Sequence, residues 1–90
     1  MENAVIIKPN DSVATVIAPV AKGALVCYPG CALPVPAKQD IPIYHKIAIA
    51  EVKKGEPVIR YGERIGFATA DIAIGEHVHI HNVSSTQPSL

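Results

Sequence analysis

The 90-residue chain is predicted to fold as a single all-β domain, and three features of the sequence support this. Val, Ile and Ala supply most of its apolar residues, and β-branched residues in short runs favour strands. Eight prolines and six glycines supply frequent turns. A motif of the form A-x-[VI]-x-x-G-x-x-V occurs at residues 18–26, 50–58 and 70–78. A chain of this length has little room for a second core.

The three copies of the motif are interpreted as repeated structural units. Each begins with a short apolar segment, turns at its glycine and enters a strand near its final valine. Glycine suits such a turn because it adopts positive φ at little cost. The glycines concerned are Gly23, Gly55 and Gly75. Three unevenly spaced copies are too few for a solenoid.

Short apolar or alternating runs predict the strands. They lie at residues 3–8, 25–28, 45–51, 57–61, 64–68 and 78–83. The turn at residues 9–12 could cap one short helical stretch that extends to Ala18. The proline-rich residues 32–42 are expected to form an extended connection, and Gly62-Glu63 to form a hairpin turn. The domain is predicted to span residues 1–83, with a mobile tail at residues 84–90.

Charge and hydropathy argue against several classes of partner. Eight basic and eight acidic residues give zero net charge, so the basic surface that nucleic acid requires is not expected. The apolar runs fall short of the roughly 18–20 residues of a membrane span, and the N-terminus lacks a signal-peptide pattern. A cytoplasmic location is therefore expected. Cys27 and Cys31 are expected to be reduced thiols with a structural or incidental role, because a C-x3-C pair alone is a weak metal signal.

The histidines form the most chemically distinctive segment of the chain. His77, His79 and His81 alternate with Val78 and Ile80, so a strand would place the three imidazoles on one face and the apolar pair in the core. Neighbouring histidines would be about 6.6 Å apart and could share Zn, Fe or Mn, whereas the outer pair at about 13 Å could not. Alternatively, the three histidines merely cover the polar face of an edge strand.

Two further polar groups have simpler explanations. Residues 60–64 read Arg-Tyr-Gly-Glu-Arg at the predicted hairpin tip. Arginine and a tyrosine hydroxyl bind carboxylates or sugar hydroxyls well, although an ordinary charged turn is the simpler interpretation. A lone histidine at a strand start, such as His45, is more often structural or solvated than a ligand. The sequence contains no phosphate-binding loop, zincin motif or nucleophile elbow.

Three segments of the chain resemble the N-terminal SAF domain of the altronate/galactarate dehydratase family. They are I-P-I-Y-H-K-I-A at 41–48, G-E-P-V-I-R-Y-G-E-R-I-G at 55–66 and D-I-A-I-G-E-H-V-H-I-H-N-V at 71–83. The resemblance implies a SAF-type β-clip fold. In some members this domain is a separate small subunit, as in two-component altronate dehydratases and in sulfolactate sulfo-lyase. The resemblance therefore implies a small lyase subunit that is inactive without a large catalytic subunit of the same family.

The chemistry that the resemblance implies is β-elimination from a sugar acid or a related hydroxy acid. A base removes the proton next to the carboxylate, and water or sulfite leaves. A divalent metal stabilises the developing charge. The metal implied is Fe²⁺, or alternatively Mn²⁺, held mainly by the large subunit.

Residue by residue, the resemblance places His45, Lys46, His79 and His81 in the catalytic group. Arg60, Tyr61 and Asn82 would bind the substrate or face the large subunit. His79 and His81 would be this chain's metal ligands, with the remaining ligands from the partner. Arg60 stands where lysine is common in the family, and Tyr44 where glycine is common.

Two other functions stay open at this point. Related SAF domains occur in sialic acid synthases, antifreeze-like proteins and pilus or flagellar chaperones, so the chain could be a free-standing sugar- or acid-binding module. It could also be an interaction domain whose histidines do no chemistry. A homo-oligomer of the isolated chain is compatible with each alternative.

Overall fold

The computed structural model describes residues 2–87 and confirms an all-β domain. The predicted fold class is therefore correct. Nine short strands follow one another within residues 2–87. They are β1 (Ala4–Val5), β2 (Val13–Val16), β3 (Leu25–Val26), β4 (Val35–Pro36), β5 (Lys46–Ala48), β6 (Pro57–Arg60), β7 (Glu63–Ala68), β8 (His77–Val78) and β9 (Val83–Ser84). Between residues 2 and 87 there is no helix of a length and apolarity that could cross a membrane.

The strands form three small sheets, and all the pairings within them are antiparallel. The central sheet has the order β1-β2-β5-β8, a second pairs β3 with β4, and a third has the order β6-β7-β9. In the central sheet Lys46 pairs with Val78 and Ile47 with His77. This pairing of β5 with β8 brings two histidine-bearing segments, distant in sequence, to one edge of the domain.

The central sheet lies between two hydrophobic cores. Ala14 and Ile47 pair across β2 and β5 and belong to the first core, whereas their neighbours Val13 and Ala48 also pair and belong to the second. Successive strand residues point to opposite faces of a sheet. Both faces of β2 and β5 are therefore buried, and the same strands hold the two cores together.

The three repeated motifs are confirmed as equivalent turns. Gly23, Gly55 and Gly75 have φ angles of 88°, 87° and 95°. Each glycine N–H donates to a carbonyl on another segment at 2.8 Å, on Ala37, Ala68 and Ala48 respectively. The final valines, Val26, Val58 and Val78, are fully buried. In each copy the glycine makes a tight turn with positive φ, and the chain then enters the core at the final valine. This common structure explains the shared sequence pattern.

The helical stretch expected between residues 12 and 18 is wrong. This segment contains β2, whose residues are all buried. A strand covered on both faces has no alternation of polar and apolar residues, so period-2 patterning could not reveal it. The extended connection at 32–42 likewise contains the short strand β4.

Two other predicted boundaries need correction. The β6–β7 hairpin turns at Tyr61-Gly62, one residue earlier than predicted, and the φ angles there are 58° and 76°. Two consecutive positive φ angles characterise a type I′ turn, which matches the twist of a hairpin. The strand predicted at 78–83 is interrupted: β8 ends at Val78, a turn follows, and β9 begins at Val83.

The predicted tail begins within β9. Ser84 pairs with Phe67 of β7, and the Gln87 side chain donates to the carbonyl of Gly55 at 3.1 Å. The rest of the predicted tail, residues 88–90, lies outside the described residues.

Candidate functional site

Four histidines meet at the edge of the central sheet. The ring of His45 stacks on those of His79 and His77, with centroids 4.2 and 5.1 Å apart, and His77 and His79 are 5.8 Å apart. His81 lies next to His77, at a centroid distance of 5.1 Å. Nδ1 of His45 is 2.9 Å from Nε2 of His77. His45, which has no histidine near it in sequence, is thus part of the cluster.

The β5–β8 pairing explains this convergence. Because Lys46 pairs with Val78, extending the antiparallel register by one residue sets His45 opposite His79. Beyond Val78 the chain turns instead of continuing as a strand. Ile80, predicted to point into the core, is consequently 85% exposed, whereas Val78 is buried as predicted.

Asn82 closes the turn that carries His79 and His81. Its side-chain amide donates to the carbonyl of His77 at 2.9 Å, and its side-chain oxygen accepts from the N–H of His79 at 3.0 Å. Its backbone N–H donates to the carbonyl of His79, and its carbonyl accepts from Thr69. Asn82 is buried and its polar atoms bond within the chain. The structure therefore places this residue beneath the histidines, where it fixes their backbone.

Burial and the repulsion between positive charges disfavour the protonated forms of His77 and His79. Burial lowers the pKa of His77, and its histidine neighbours and Lys46 lower it further. Burial also lowers the pKa of His79, followed by the effects of His45, Lys46 and His81. Neutral imidazole, which is the form that binds metal ions, is therefore favoured at both positions.

A pocket of about 300 Å³ adjoins the cluster. Three of its lining residues are basic, namely Lys46, Arg60 and His79, and the others are Ile65, Ile80, Val83 and Ser85. Burial lowers the pKa of Lys46, and the positive charge of Arg60 lowers it further, while Tyr61 raises it. Two adjacent cations in a partly apolar pocket provide a binding site for an anion such as a carboxylate.

Arg60 has unused hydrogen-bonding capacity in this pocket. One guanidinium N–H₂ group donates to the Tyr61 hydroxyl at 3.0 Å, and the guanidinium carbon lies 4.4 Å from the centre of the Tyr61 ring. The buried Nε has no hydrogen-bond partner among residues 2–87. By contrast, Arg64 lies over the ring of Phe67, at 4.9 Å, and does not line the pocket. Tyr61 therefore orients Arg60 from the hairpin tip.

Asp11 and Ser12 hold this hairpin, and sequence reasoning missed their role. The Asp11 carboxylate accepts from the backbone N–H groups of Tyr61 and Gly62, at 3.0 and 2.8 Å, and also from those of residues 7 and 8. The Ser12 hydroxyl accepts from the N–H of Ile59 at 3.2 Å. The turn at residues 9–12 was expected to cap a helix. Its polar side chains instead satisfy the backbone of the β6–β7 hairpin.

The structure thus divides the predicted site residues into groups. Lys46, Arg60 and His79 line one pocket, with Tyr61 holding Arg60 at its edge. His45 and His81 belong to the histidine cluster, and Asn82 lies beneath it. The pocket is also lined by Ile65, Ile80, Val83 and Ser85, and no motif in the sequence predicted that these residues belong to a site.

The histidines suit the divalent metal that the family resemblance implies. One ring nitrogen from each of His45, His77 and His79 lies within 4.8 Å of the others. Imidazole nitrogens suit Fe, Zn and similar transition metals. The family resemblance predicts His79 and His81 as metal ligands, although the alternation of the histidines also allowed His77 and His79 to share an ion.

Comparison with known proteins settles the family. The altronate/galactarate dehydratase SAF domain matches residues 2–86, which is nearly the whole chain. The chain belongs to this SAF-domain family. The predicted resemblance is therefore confirmed, and the observed all-β architecture is consistent with a SAF β-clip.

Relatives of this SAF domain include two altronate dehydratases. The chain is 35% identical over 85 residues to the one from Bacillus subtilis, and 41% identical over 80 residues to the one from Escherichia coli. These alignments cover 94% and 89% of the chain but only 17% and 16% of the two enzymes. The chain thus spans about a sixth of their length.

The SAF domain is also similar to a subunit of a second lyase. It is 52% identical over 46 residues to the (2R)-sulfolactate sulfo-lyase subunit alpha of Paracoccus pantotrophus, covering 51% of the chain and 69% of that subunit. Two kinds of relatives, altronate dehydratases and a sulfo-lyase subunit, therefore support the conclusion that this SAF domain is related to lyases.

Proposed function

We propose that this SAF domain is the small subunit of a two-component lyase, which eliminates water or sulfite from a sugar acid or a related hydroxy acid. The observation that carries the proposal is the pocket in which Lys46, Arg60 and His79 meet beside the histidine cluster. Cations for a carboxylate and imidazoles for proton transfer are the groups that such a reaction requires. The names of the relatives support the same reaction class.

In this proposal Lys46 and Arg60 bind the substrate carboxylate. Their charge favours the build-up of negative charge on that carboxylate as the neighbouring C–H bond breaks. The electron pair of that bond forms a C=C bond, and the C–O or C–S bond on the next carbon breaks. The hydroxide or sulfite that leaves carries the bonding pair, and hydroxide takes up a proton to become water. His45, His79 and His81 are the candidates for moving these protons.

A divalent metal, Fe²⁺ or alternatively Mn²⁺, is part of the proposal, and its chemistry would be Lewis-acid polarisation of a substrate oxygen. A large catalytic chain of the same family is the proposed partner. Tyr44 and Ile80 each adjoin a member of the stacked His45–His79 pair in sequence, and they are 70% and 85% exposed. Exposed apolar side chains beside a site are suited to contact with another chain. A cytoplasmic location is also part of the proposal.

The proposal is tested by capturing the tagged 90-residue chain from its native cells and assaying the eluate. The substrates are altronate, galactarate and sulfolactate, with added Fe²⁺. We expect a partner of several hundred residues to co-purify, and elimination to require both chains. A partner whose turnover is unchanged when this chain is removed would contradict the proposal. Saturable binding of these acids by the chain alone, with no lyase activity in any eluate, would favour an acid-binding module instead.

Substitutions in the pocket test its role in the active pair. Arg60→Gln and Lys46→Gln should each lower kcat/KM by about tenfold to a hundredfold, because a hydrogen bond to a charged group contributes about 1.5–3 kcal/mol. Arg60→Lys should retain more activity than Arg60→Gln, since it keeps the charge. Arg64→Gln is the matched control, because Arg64 lies over Phe67 and should leave kcat/KM nearly unchanged. Equal losses in Arg60→Gln and Arg64→Gln would argue against carboxylate binding in this pocket.

A further inference from the structure

The histidine cluster combines two properties that ordinary packing does not require. His45, His77 and His79 come from segments about thirty residues apart, yet three of their ring nitrogens lie within 4.8 Å of one another. None of the three rings is fully buried, so solvent and ions can reach them. Nδ1 of His45 and Nε2 of His77 already lie 2.9 Å apart, so a shared metal ion would replace the proton between them.

We infer that His45, His77 and His79 form a transition-metal site that lies entirely within this chain. This differs from the expectation that His79 and His81 supply only part of a site completed by a partner. Three protein ligands are the number typical of catalytic zinc sites, which leave one position for water or substrate. Imidazole ligands select Zn²⁺, Co²⁺ or Fe²⁺, whereas Mg²⁺ prefers oxygen ligands.

The scaffold around the three histidines supports this assignment. The β5–β8 register sets His45 opposite His79, and Asn82 fixes the backbone of both His77 and His79. Backbone hydrogen bonds that orient metal ligands reduce the entropy lost on binding. His81, in contrast, is exposed on the turn, with its ring 5.1 Å from that of His77, and it is not among the three histidines whose ring nitrogens converge.

The position of the cluster also links it to the anion pocket. His79 is both a member of the three-histidine group and a lining residue of the pocket that contains Lys46 and Arg60. A carboxylate held by these two cations would therefore lie next to the metal site. The role of the metal in elimination rests on the proposed function. With His45 and His79 bound to the metal, His81 would remain the histidine for proton transfer. Metal binding itself is measured on this chain alone.

The experiment is a titration of the tag-free 90-residue chain, stripped with a chelator, with Co²⁺ near pH 7.5. We expect saturable binding of one Co²⁺ ion per chain. The bound ion should show the visible d–d absorption of Co²⁺ that has four or five ligands, including the histidine nitrogens. Zn²⁺ should displace Co²⁺, and a large excess of Mg²⁺ should not. The absence of saturable binding, or displacement by Mg²⁺, would overturn the inference.

Single substitutions identify the ligands. His45→Ala, His77→Ala and His79→Ala should each weaken Co²⁺ binding at least tenfold, while His81→Ala should weaken it far less. Circular dichroism and the thermal midpoint verify that each variant is folded, and His45→Gln serves as a milder second variant at the position most distant in sequence. Equal losses in His79→Ala and His81→Ala, with none in His45→Ala, would move the site to the His79–His81 pair and overturn the inference.

The outcomes separate this inference from the proposed function. If the chain binds Co²⁺ through the three histidines but no partner gains lyase activity, the site stands and the proposed function fails. If a partner's lyase activity depends on this chain and the chain binds no metal, the proposed function stands and the site is rejected.

Discussion

A single carboxylate, Asp11, links the N-terminal segment to the hairpin that presents Arg60. Burial by itself raises the pKa of Asp11, but four backbone N–H donors outweigh this effect, so its pKa is lowered overall. Those donors belong to both segments, and Asp11 is only 4% exposed. Loss of the charge would weaken these hydrogen bonds and turn one of the two accepting oxygens into a donor that faces a backbone N–H, which lowers the free energy of unfolding.

Asp11→Asn should lower the free energy of unfolding by about 1–3 kcal/mol at pH 7. A group with a lowered folded pKa stabilises the protein above its unfolded pKa, here about 3.9, and that contribution is lost as the pH falls through the folded value. Urea unfolding at pH 7 and pH 3 measures the difference between the variant and the wild type, which should shrink at the lower pH. Asp40→Asn is the matched control, because exposed Asp40 accepts one backbone N–H, from Lys22. A difference that is constant with pH would contradict this explanation.

The three glycine turns are the elements that organise the chain, but their surroundings differ. A side chain at any of them would be strained, because each φ angle lies near 90°. At Gly23 an added Cβ would meet no atom within 4 Å. At Gly75 it would lie 2.4 Å from the carbonyl oxygen of Pro36. The third turn is therefore packed against β4, just before the histidine segment begins.

Gly75→Ala should consequently destabilise the domain more than Gly23→Ala. Both substitutions carry the backbone cost of about 1–2 kcal/mol, and Gly75→Ala adds a steric conflict of about 1–3 kcal/mol. Thermal unfolding of the two variants, which are chemically identical changes at equivalent turns, measures this difference. Equal thermal midpoints would mean that β4 can move away from a side chain at residue 75 without cost. Contact with β4 would then not distinguish the two turns.

The whole molecule is held together by a sheet that both cores share. Ile47 belongs to the first core and Ile72 to the second, and each is at most 1% exposed. Residues of β2 and β5 enter both cores, so neither core can lose its packing without exposing strands that support the other. The domain should accordingly unfold as one cooperative unit.

Ile47→Ala and Ile72→Ala should each lower the free energy of unfolding by about 2–5 kcal/mol, through lost burial and the cavity left behind. Two probes of urea unfolding test whether the cores are coupled. Far-UV circular dichroism reports the sheets. Tyrosine fluorescence, measured in a Tyr44→Phe, Tyr61→Phe background, reports Tyr28, which packs against the first core. The transitions from both probes should coincide in both variants. Separate transitions, with only Ile47→Ala shifting the fluorescence signal, would show that the cores unfold independently.

Local signals in the sequence determined the all-β class, the three glycine turns and the hairpin around residue 62. Glycine at positive φ and β-branched runs act through neighbouring residues, so they are visible without a fold. The family pattern likewise identified His45, Lys46, His79 and His81 as candidate site residues, and Arg60 at a position where lysine is common. The alternation of side chains over residues 77–83 could not predict how these residues group in space, because the strand expected to extend to Val83 ends at Val78.

Only the tertiary structure decided how these residues meet. β2 was missed because both of its faces are buried, and burial on two faces depends on what packs there. Asp11 was assigned to a helix cap because its partners, Tyr61 and Gly62, lie fifty residues away. His45 joined His77 and His79 only through the antiparallel register of β5 and β8. Such contacts between distant segments arise from chain topology, which no local pattern of residues encodes.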